Sequence, residues 1–172
     1  MPAPERRTVI RTDRLFLRKP TAADVEDPPS FLTDPRVMQF LGGVEDDPSG
    51  VVQNWLDGWE RFPAGKFIVE TAAGERIGRV GLNFYDPVRW VRSNLPDAQP
   101  ELTWGLAHEH WGKGYATEAA TAVREWFGRA SLISLIAPRN VRSQGVAERL
   151  DATPGKTVEL ADGGPHVIWT HP

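Results

Sequence analysis

Two glycines, Gly112 and Gly114, bracket Lys113 immediately ahead of Ala116 to Ala130, a run whose composition favours helix. A flexible loop that opens directly into a helix N-terminus is an anion site. The unpaired amides of the first turn point outward with roughly half a positive charge, and glycine lets a phosphate approach the backbone closely. Before the loop, Glu101 to Ala107 alternates, with Leu102, Trp104 and Leu106 on one face and Glu101, Thr103 and Gly105 on the other; after the helix, Leu132 to Ala137 reads as an apolar strand. The unit is strand, loop, helix, strand, with the helix crossing between neighbouring strands. A Gly-x-Gly pair alone suits a purely structural loop equally well, so its neighbours must decide.

The rest of the chain supplies more of both element types. Arg14 to Lys19 alternates apolar and basic residues and is ended by Pro20; Thr21 and Asp24 then resemble an N-cap with an acidic first turn, and the short helix breaks at Pro28-Pro29. A second helical piece runs from Pro35 to Leu41, closed by Gly42-Gly43. Asp47-Pro48, a cap with proline at N1, starts a helix in which Val51, Val52, Trp55, Leu56, Trp59 and Phe62 recur at helical spacing, as core or cleft wall. Lys66 to Thr71 and Arg76 to Tyr85 form a hairpin around Ala73-Gly74, and Gly78 and Gly81 inside it point to bending or to a ligand approached by backbone. Asp86 to Pro100 is a long loop with substrate contacts in reach. Val141 to Leu150 is a short helix; strands at Lys156 to Leu160 and His166 to Thr170 flank a turn at Asp162 to Pro165. With no internal repeat or linker, residues 1–172 are expected to form one mixed α/β domain.

Composition limits the partners. A net charge of -3 provides no overall positive field, so neither nucleic acid nor anionic membrane is an expected partner and a polyanion must be held locally. Met1 to Asp13 is charged without an apolar h-region, and no stretch approaches roughly 18 apolar residues, which predicts a soluble, cytoplasmic protein. There are no cysteines, hence no disulfide and no cysteinyl intermediate. His108, His110, His166 and His171 show no metal spacing, so no metal is expected.

Taken together, Glu101-Leu102-Thr103-Trp104-Gly105-Leu106, the glycine loop with Ala116-Thr117-Glu118-Ala119, and Asn140-Val141-Arg142-Ser143 ahead of Val146, Glu148, Arg149 and Leu150 resemble the GNAT superfamily of acyl-CoA N-acyltransferases. Thr12-Asp13-Arg14-Leu15 with Leu17-Arg18, and Asp34-Pro35-Arg36-Val37-Met38, are similar to the opening of its RimJ/RimL-like branch, so the likeness covers nearly the whole chain. It implies an α/β (mixed α+β) fold: a central, mostly antiparallel twisted sheet, splayed at the cofactor strand and flanked by helices. The implied cosubstrate is acetyl-CoA. Its pyrophosphate maps onto the amides of Gly112, Lys113, Gly114, Tyr115, Ala116 and Thr117, and its pantetheine onto a bulged strand end at Leu106 and Ala107. Asn140 and Ser143 are further cofactor contacts, and Asn140 is also the N-cap of the helix that follows.

The resemblance implies direct attack of a primary amine, a protein N-terminus or a small molecule, on the thioester in a ternary complex. The Leu106 amide is the candidate for the developing oxyanion. Glu101 is the candidate base, directly or through water, or else orients a loop or binds a cationic amine. Ser143 is the candidate proton donor to the thiolate, or else a hydrogen-bond partner of the cofactor or of its own helix. Acidic Glu45, Asp46, Asp47, Asp57 and Glu60 could attract a cationic acceptor or be a solvated surface, and Trp55, Trp59, Trp90 and Trp104 could line its cleft or be core.

Three positions depart from the pattern. Trp111 stands where much of the superfamily has arginine or glutamine, Ala147 where many relatives place a proton-donating tyrosine, and Asp151-Ala152 where glycine and an aromatic are usual. Aspartate tolerates positive φ less readily than glycine, so a modest stability cost is expected. Ala147 keeps open a second reading, a non-catalytic acyl-CoA sensor. A P-loop nucleotide site is disfavoured, because the loop lacks the Gly-Lys-Ser/Thr ending. A homodimer is compatible with the resemblance.

Overall fold

Strand propensity and apolar alternation assemble one sheet in the computed structural model, which describes residues 9–128, 131–161 and 163–172. Its strands are β1 (Val9–Arg11), β2 (Leu15–Arg18), β3 (Lys66–Thr71), β4 (Arg76–Tyr85), β5 (Gln99–Leu106), β6 (Ile133–Ile136), β7 (Thr153–Leu160) and β8 (Gly164–Thr170), in the order β1-β2-β3-β4-β5-β6-β8-β7. Every neighbouring pair is antiparallel except β5 and β6. Helices α1 (Ala22–Glu26), α2 (Pro35–Met38) and α3 (Pro48–Arg61) lie between β2 and β3 in the chain; α4 (Tyr115–Phe127) makes the parallel crossover and α5 (Val141–Arg149) follows β6. Short 3₁₀ turns occupy Ser30–Thr33 and His108–His110. No helix among the described residues is long and apolar enough to cross a membrane.

Local rules account for most boundaries. Thr21 and Asp24 close a capping box on α1, and Asp47 accepts the Gly50 amide to start α3. α4 begins at Tyr115, one residue before expectation, and Gly128 caps it at φ +63; its expected end at Ala130 lies outside the described residues. β7 starts at Thr153, three residues early, because the edge of a sheet tolerates Pro154 where the register shifts. β1 was not expected: three half-exposed residues carry no alternation of their own and are held by β2. The expected turn at Asp162 to Pro165 falls partly outside the described residues, and β8 already begins at Gly164. Asp151 does adopt φ +59, and Ala152 donates to the Ala147 carbonyl behind it, as a helix C-terminus turning through αL requires.

Gly78 and Gly81 are approached by the protein's own strands rather than by a ligand. A Cβ at Gly78 would sit 2.4 Å from the Gly105 carbonyl oxygen, and one at Gly81 2.3 Å from that of Gly65.

The main core joins Phe67, Val69, Ile77, Val80 and Leu102 of the sheet to Ala119, Ala120, Val123 and Phe127 of α4. α3 divides its apolar stripe. Val52 and Trp55 pack with Phe31, Leu32, Val37 and Met38, whereas Trp59 meets Phe67 edge-on at 4.8 Å and Phe62 stacks on Phe84 at 5.8 Å. The stripe is core, and α3 is thereby fixed to both clusters. Beside it, Asp24 is buried with Arg18 at 2.7 Å and Arg76 at 3.2 Å.

Candidate active site

The parallel pair β5–β6 is joined at a single register position, Glu101 opposite Ile133, and the strands part beyond it. The Ala107 amide donates to the Ile77 carbonyl directly across β4 at 2.8 Å. By antiparallel alternation, Thr103 and Gly105 also direct their backbone groups at β4, while Leu102, Trp104 and Leu106 direct theirs towards β6. Leu102 still finds a partner there, its carbonyl accepting the Ser134 hydroxyl at 2.7 Å. At Leu106 the gap is open: the carbonyl is taken by the Trp111 indole N–H at 2.9 Å, and the amide faces the opening with no strand opposite it.

Two expectations change here. The β4–β5 register runs without interruption from Gly78/Leu106 to Tyr85/Gln99, so β5 has no bulge and its edge is exposed because β6 departs. Ala107 spends its amide on Ile77 and its carbonyl on the His110 amide, so the backbone groups turned to the opening belong to Trp104 and Leu106.

A cleft of about 820 Å³ fills the splay. Gly114 is the N-cap of α4, in the left-handed region at φ +79, and no side chain caps the helix. α3 and α5, by contrast, have their caps filled by Asp47 and Asn140. The first-turn amides of Tyr115, Ala116 and Thr117 are therefore left to a ligand, and these residues with Gly112 and Gly114 line the cleft. Lys113 does not line it; its carbonyl instead accepts Arg14 Nη1 at 2.9 Å. Arg14 Nε also meets Glu118 Oε2 at 2.7 Å, and Thr12 donates to Glu118 Oε1 at 2.5 Å. Burial would raise the Glu118 carboxyl, but the hydrogen bonds from Thr12 and Arg14 outweigh it and hold it below the usual range. Thus the Thr12–Arg14 and Glu118 motifs, far apart in sequence, are one clamp under the loop.

The charge of the cleft is one-sided. Arg36, Arg139, Arg142 and Arg149 line it and no carboxylate does. Arg142 lies over the Trp111 ring at 4.1 Å, and Arg149 Nε donates to Thr117 Oγ1 at 3.1 Å. Sequence reading missed this set as ligands. Arg142 and Arg149 sit at opposite ends of α5 and so were legible once that helix was placed, whereas Arg36 arrives from α2 with no local signal.

A smaller pocket of about 30 Å³ adjoins the cleft and shares Trp104, Asn140 and Ser143 with it; Glu101 and Thr103 line its other side. Ser143 and Glu101, 42 positions apart, therefore meet at one pocket. Asn140 caps α5 by accepting the Ser143 amide at 3.2 Å and donates Nδ2 to Ser143 Oγ at 3.1 Å. The serine hydroxyl is thus an acceptor on one side and keeps its proton for the pocket. Glu101 is 5% exposed and accepts Asn83 Nδ2 at 2.6 Å; Asn83 in turn accepts from Lys66, which also donates to the Leu82 carbonyl at 3.0 Å. Burial, with Arg92 and Arg79 nearby, pushes the Lys66 amine well below the ordinary lysine range.

Other candidates fall elsewhere. Of Trp55, Trp59, Trp90 and Trp104, the last alone lines either cavity, and Glu45, Asp46, Asp47, Asp57 and Glu60 line neither. His110 lines the cleft but faces Glu75 at 3.1 Å, and His108 packs against Trp111 beside Arg36. Among the described residues, no group of three or more His, Cys, Asp or Glu could hold a metal ion. Ala147 is fully buried in the main core, leaving Ser143 as the hydroxyl that both cavities share.

Residues 14–153 match the model of the acetyltransferase (GNAT) domain. An acetyltransferase from Agrobacterium tumefaciens str. C58 is similar over 95% of this chain and 94% of its own, with 32% identity and a TM-score of 0.76. An uncharacterized protein of Bacillus subtilis (strain 168), YkkB, is 28% identical over 165 residues, covering 88% of this chain and 89% of that protein. RimL, a ribosomal-protein α-N-acetyltransferase with coenzyme A bound, shares the fold at a TM-score of 0.73 and 15% identity, over 95% of this chain and 97% of its own.

Proposed function

This chain belongs to the acetyltransferase (GNAT) family, and we propose that it moves an acetyl group from acetyl-CoA to a primary amine by direct attack. The observation that carries the reading is the splay: an unpaired Leu106 amide at one end of a four-arginine cleft and an uncapped helix N-terminus at the other. That donor set fits the cosubstrate. The amides of Gly114 to Thr117, with Arg142 and Arg149 beside them, suit a pyrophosphate; the edge of β5 suits an amide-bearing arm.

When bound, acetyl-CoA supplies an activated acyl carbon and a thiolate leaving group. The chain's own residues do the rest. Glu101 accepts a proton from the acceptor's ammonium, directly or through water, so that a neutral amine attacks. The Leu106 amide donates to the carbonyl oxygen as it gains negative charge, an interaction stronger in the transition state than in the ground state. Ser143, oriented by Asn140, passes its hydroxyl proton to the departing sulfur and is reprotonated by the second proton that the attacking nitrogen sheds as the amide forms.

The test is thiol release from acetyl-CoA with a panel of peptide N-termini, amino acids and aminoglycosides. Turnover with any amine supports the reading. Tight acetyl-CoA binding with no turnover across the panel would instead assign the fold to a sensor, as Ala147 in place of a tyrosine permits.

A further inference from the structure

Lys66, Asn83 and Glu101 are all buried, on the neighbouring strands β3, β4 and β5. Asn83 pairs with Glu101 directly across β4 and β5, and Lys66 pairs with Gly81, two residues before Asn83, across β3 and β4. Directly paired residues share a face, as do residues i and i+2 of a strand, so the three side chains lie on one side of the sheet. Gly81 puts no side chain between Lys66 and Asn83; a Cβ there would lie 2.7 Å from Lys66 Cα. A continuous hydrogen-bonded row results. Lys66 Nζ donates to the Leu82 carbonyl at 3.0 Å and to Asn83 Oδ1, and Asn83 Nδ2 donates to Glu101 Oε2 at 2.6 Å.

The row has one direction. A carboxylate only accepts, so Glu101 must meet the Asn83 nitrogen, and Asn83 Oδ1 is left facing an N–H of Lys66. A neutral lysine amine carries two N–H groups, and Lys66 meets two acceptors; burial, then Arg92 and Arg79, push it well below the ordinary lysine range, towards that form. The charged groups acting on this neighbourhood are Arg79, Arg92 and Glu101, with Tyr85 acting on Arg79. Among the described residues, Asn83 is the single side-chain donor to Glu101, so Oε1 has no protein partner. The pocket that Glu101 lines with Ser143, of about 30 Å³, has room for a water or an ammonium nitrogen. An amine buried at Lys66 costs more than an apolar chain of the same length would, and the groups it meets are the Leu82 carbonyl and Asn83.

We propose that Lys66 and Asn83 are positioning residues of the acyl transfer: Lys66 fixes the Asn83 amide, Asn83 holds Glu101 Oε2, and Oε1 alone is presented to the acceptor's ammonium. This rests on the acetyltransferase reading above. An N–H bond of the ammonium breaks, an O–H bond forms at Oε1, and the electron pair stays on nitrogen for the attack. Oε2 keeps its bond from Asn83 throughout, so nothing in the row has to move. Without Lys66 the amide is free to turn its own oxygen towards Glu101, where two acceptors repel. Bonds in such a chain also strengthen one another, which makes Asn83 a better donor while Lys66 is in place.

The experiment joins steady-state kinetics to carbon-13 NMR of protein labelled at its glutamate carboxyls, with the Glu101 signal identified by its loss in Glu101→Gln. Removing a donor from a carboxylate raises the pH at which it takes up a proton. Asn83→Ala should lower kcat about tenfold or more with little change in acetyl-CoA affinity, and should move both the acid limb of the pH–rate profile and the titration of the Glu101 signal to higher pH. Lys66→Met, which keeps a stem of similar length, should do the same more weakly, with the fold retained by circular dichroism. Asn83→Asp keeps the size of the side chain and should give the largest displacement, because two carboxylates then face each other. Profiles and titrations that superimpose on those of the unaltered protein, in whichever of the three variants folds, would overturn the proposal. Displaced titrations of the Glu101 signal without turnover on any amine would uphold the row while removing the acetyltransferase reading.

Discussion

Asn140 holds Ser143 by both ends, its Oδ1 receiving the serine amide at 3.2 Å and its Nδ2 donating to the serine hydroxyl at 3.1 Å. One side chain thus caps α5 and aims a proton donor. The two roles separate by mutation. Ser143→Ala should lower kcat roughly tenfold or more with little change in acetyl-CoA affinity, whereas Asn140→Ala should lower kcat and also cost about 1 kcal/mol of stability through the lost cap. Steady-state kinetics and urea denaturation read the two effects; an unchanged kcat in both variants would remove the serine from the mechanism.

Glu101 accepts a proton only as a carboxylate. Glu101→Gln should cut kcat/KM by about 100-fold or more and abolish the acid limb of its pH profile. A profile that superimposes on that of the unaltered protein leaves the residue a structural role alone.

Gly114 sits at φ +79 with open space on the ligand side, the nearest atom to a Cβ being Arg14 Nη2 at 3.4 Å. Gly114→Trp should fill the mouth of the anion site and weaken acetyl-CoA at least 100-fold, while circular dichroism shows the fold retained. Full affinity in a folded variant would place the phosphates elsewhere.

The Asp24 carboxyl would be raised by burial, but Arg18 and Thr21 hydrogen bonds outweigh this and hold it far below the usual range. A depressed carboxylate contributes stability above its unfolded pKa of about 3.9 and loses it as pH falls below that. Asp24→Asn leaves Arg18 and Arg76 without their shared anion, so about 3 kcal/mol should be lost at neutral pH by urea denaturation. The difference between the variant and the unaltered protein should narrow steadily as pH falls below about 3.9 and close only once the pH is under the depressed folded-state pKa of Asp24.

His171 is buried, with Nε2 at 2.9 Å from Ser134 Oγ. Burial, and then Arg124, push its pKa down to about 4. Protonation therefore favours the unfolded chain: the stability is complete above about 6.5 and falls by about 3 kcal/mol as pH drops to 4. His171→Gln should flatten this window of the denaturation profile; an equally steep fall would assign the acid sensitivity to other groups.

Local signals made much of the fold legible. Caps at Thr21, Asp47 and Asn140 and the Ala73-Gly74 turn act through neighbours within four residues, so they read directly from the chain. β1 escaped because its order comes from pairing with β2, and Arg36 escaped as a cleft residue because it arrives on α2, far in sequence from Arg139, Arg142 and Arg149 in and before α5.

The sequence by itself determined that a glycine-opened helix follows an alternating strand and that Asn140 precedes Ser143 on the next helix, because turn and helix chemistry are short-range. Only the tertiary structure decided what those pieces face. The departure of β6 after Glu101/Ile133, and not a bulge in β5, frees the Leu106 amide, and that parting is set by packing across the whole sheet. The same packing places Glu101 opposite Ser143 and lines up Lys66, Asn83 and Glu101 on three neighbouring strands. Such relations depend on strand register between segments distant in the chain, and no local pattern carries them.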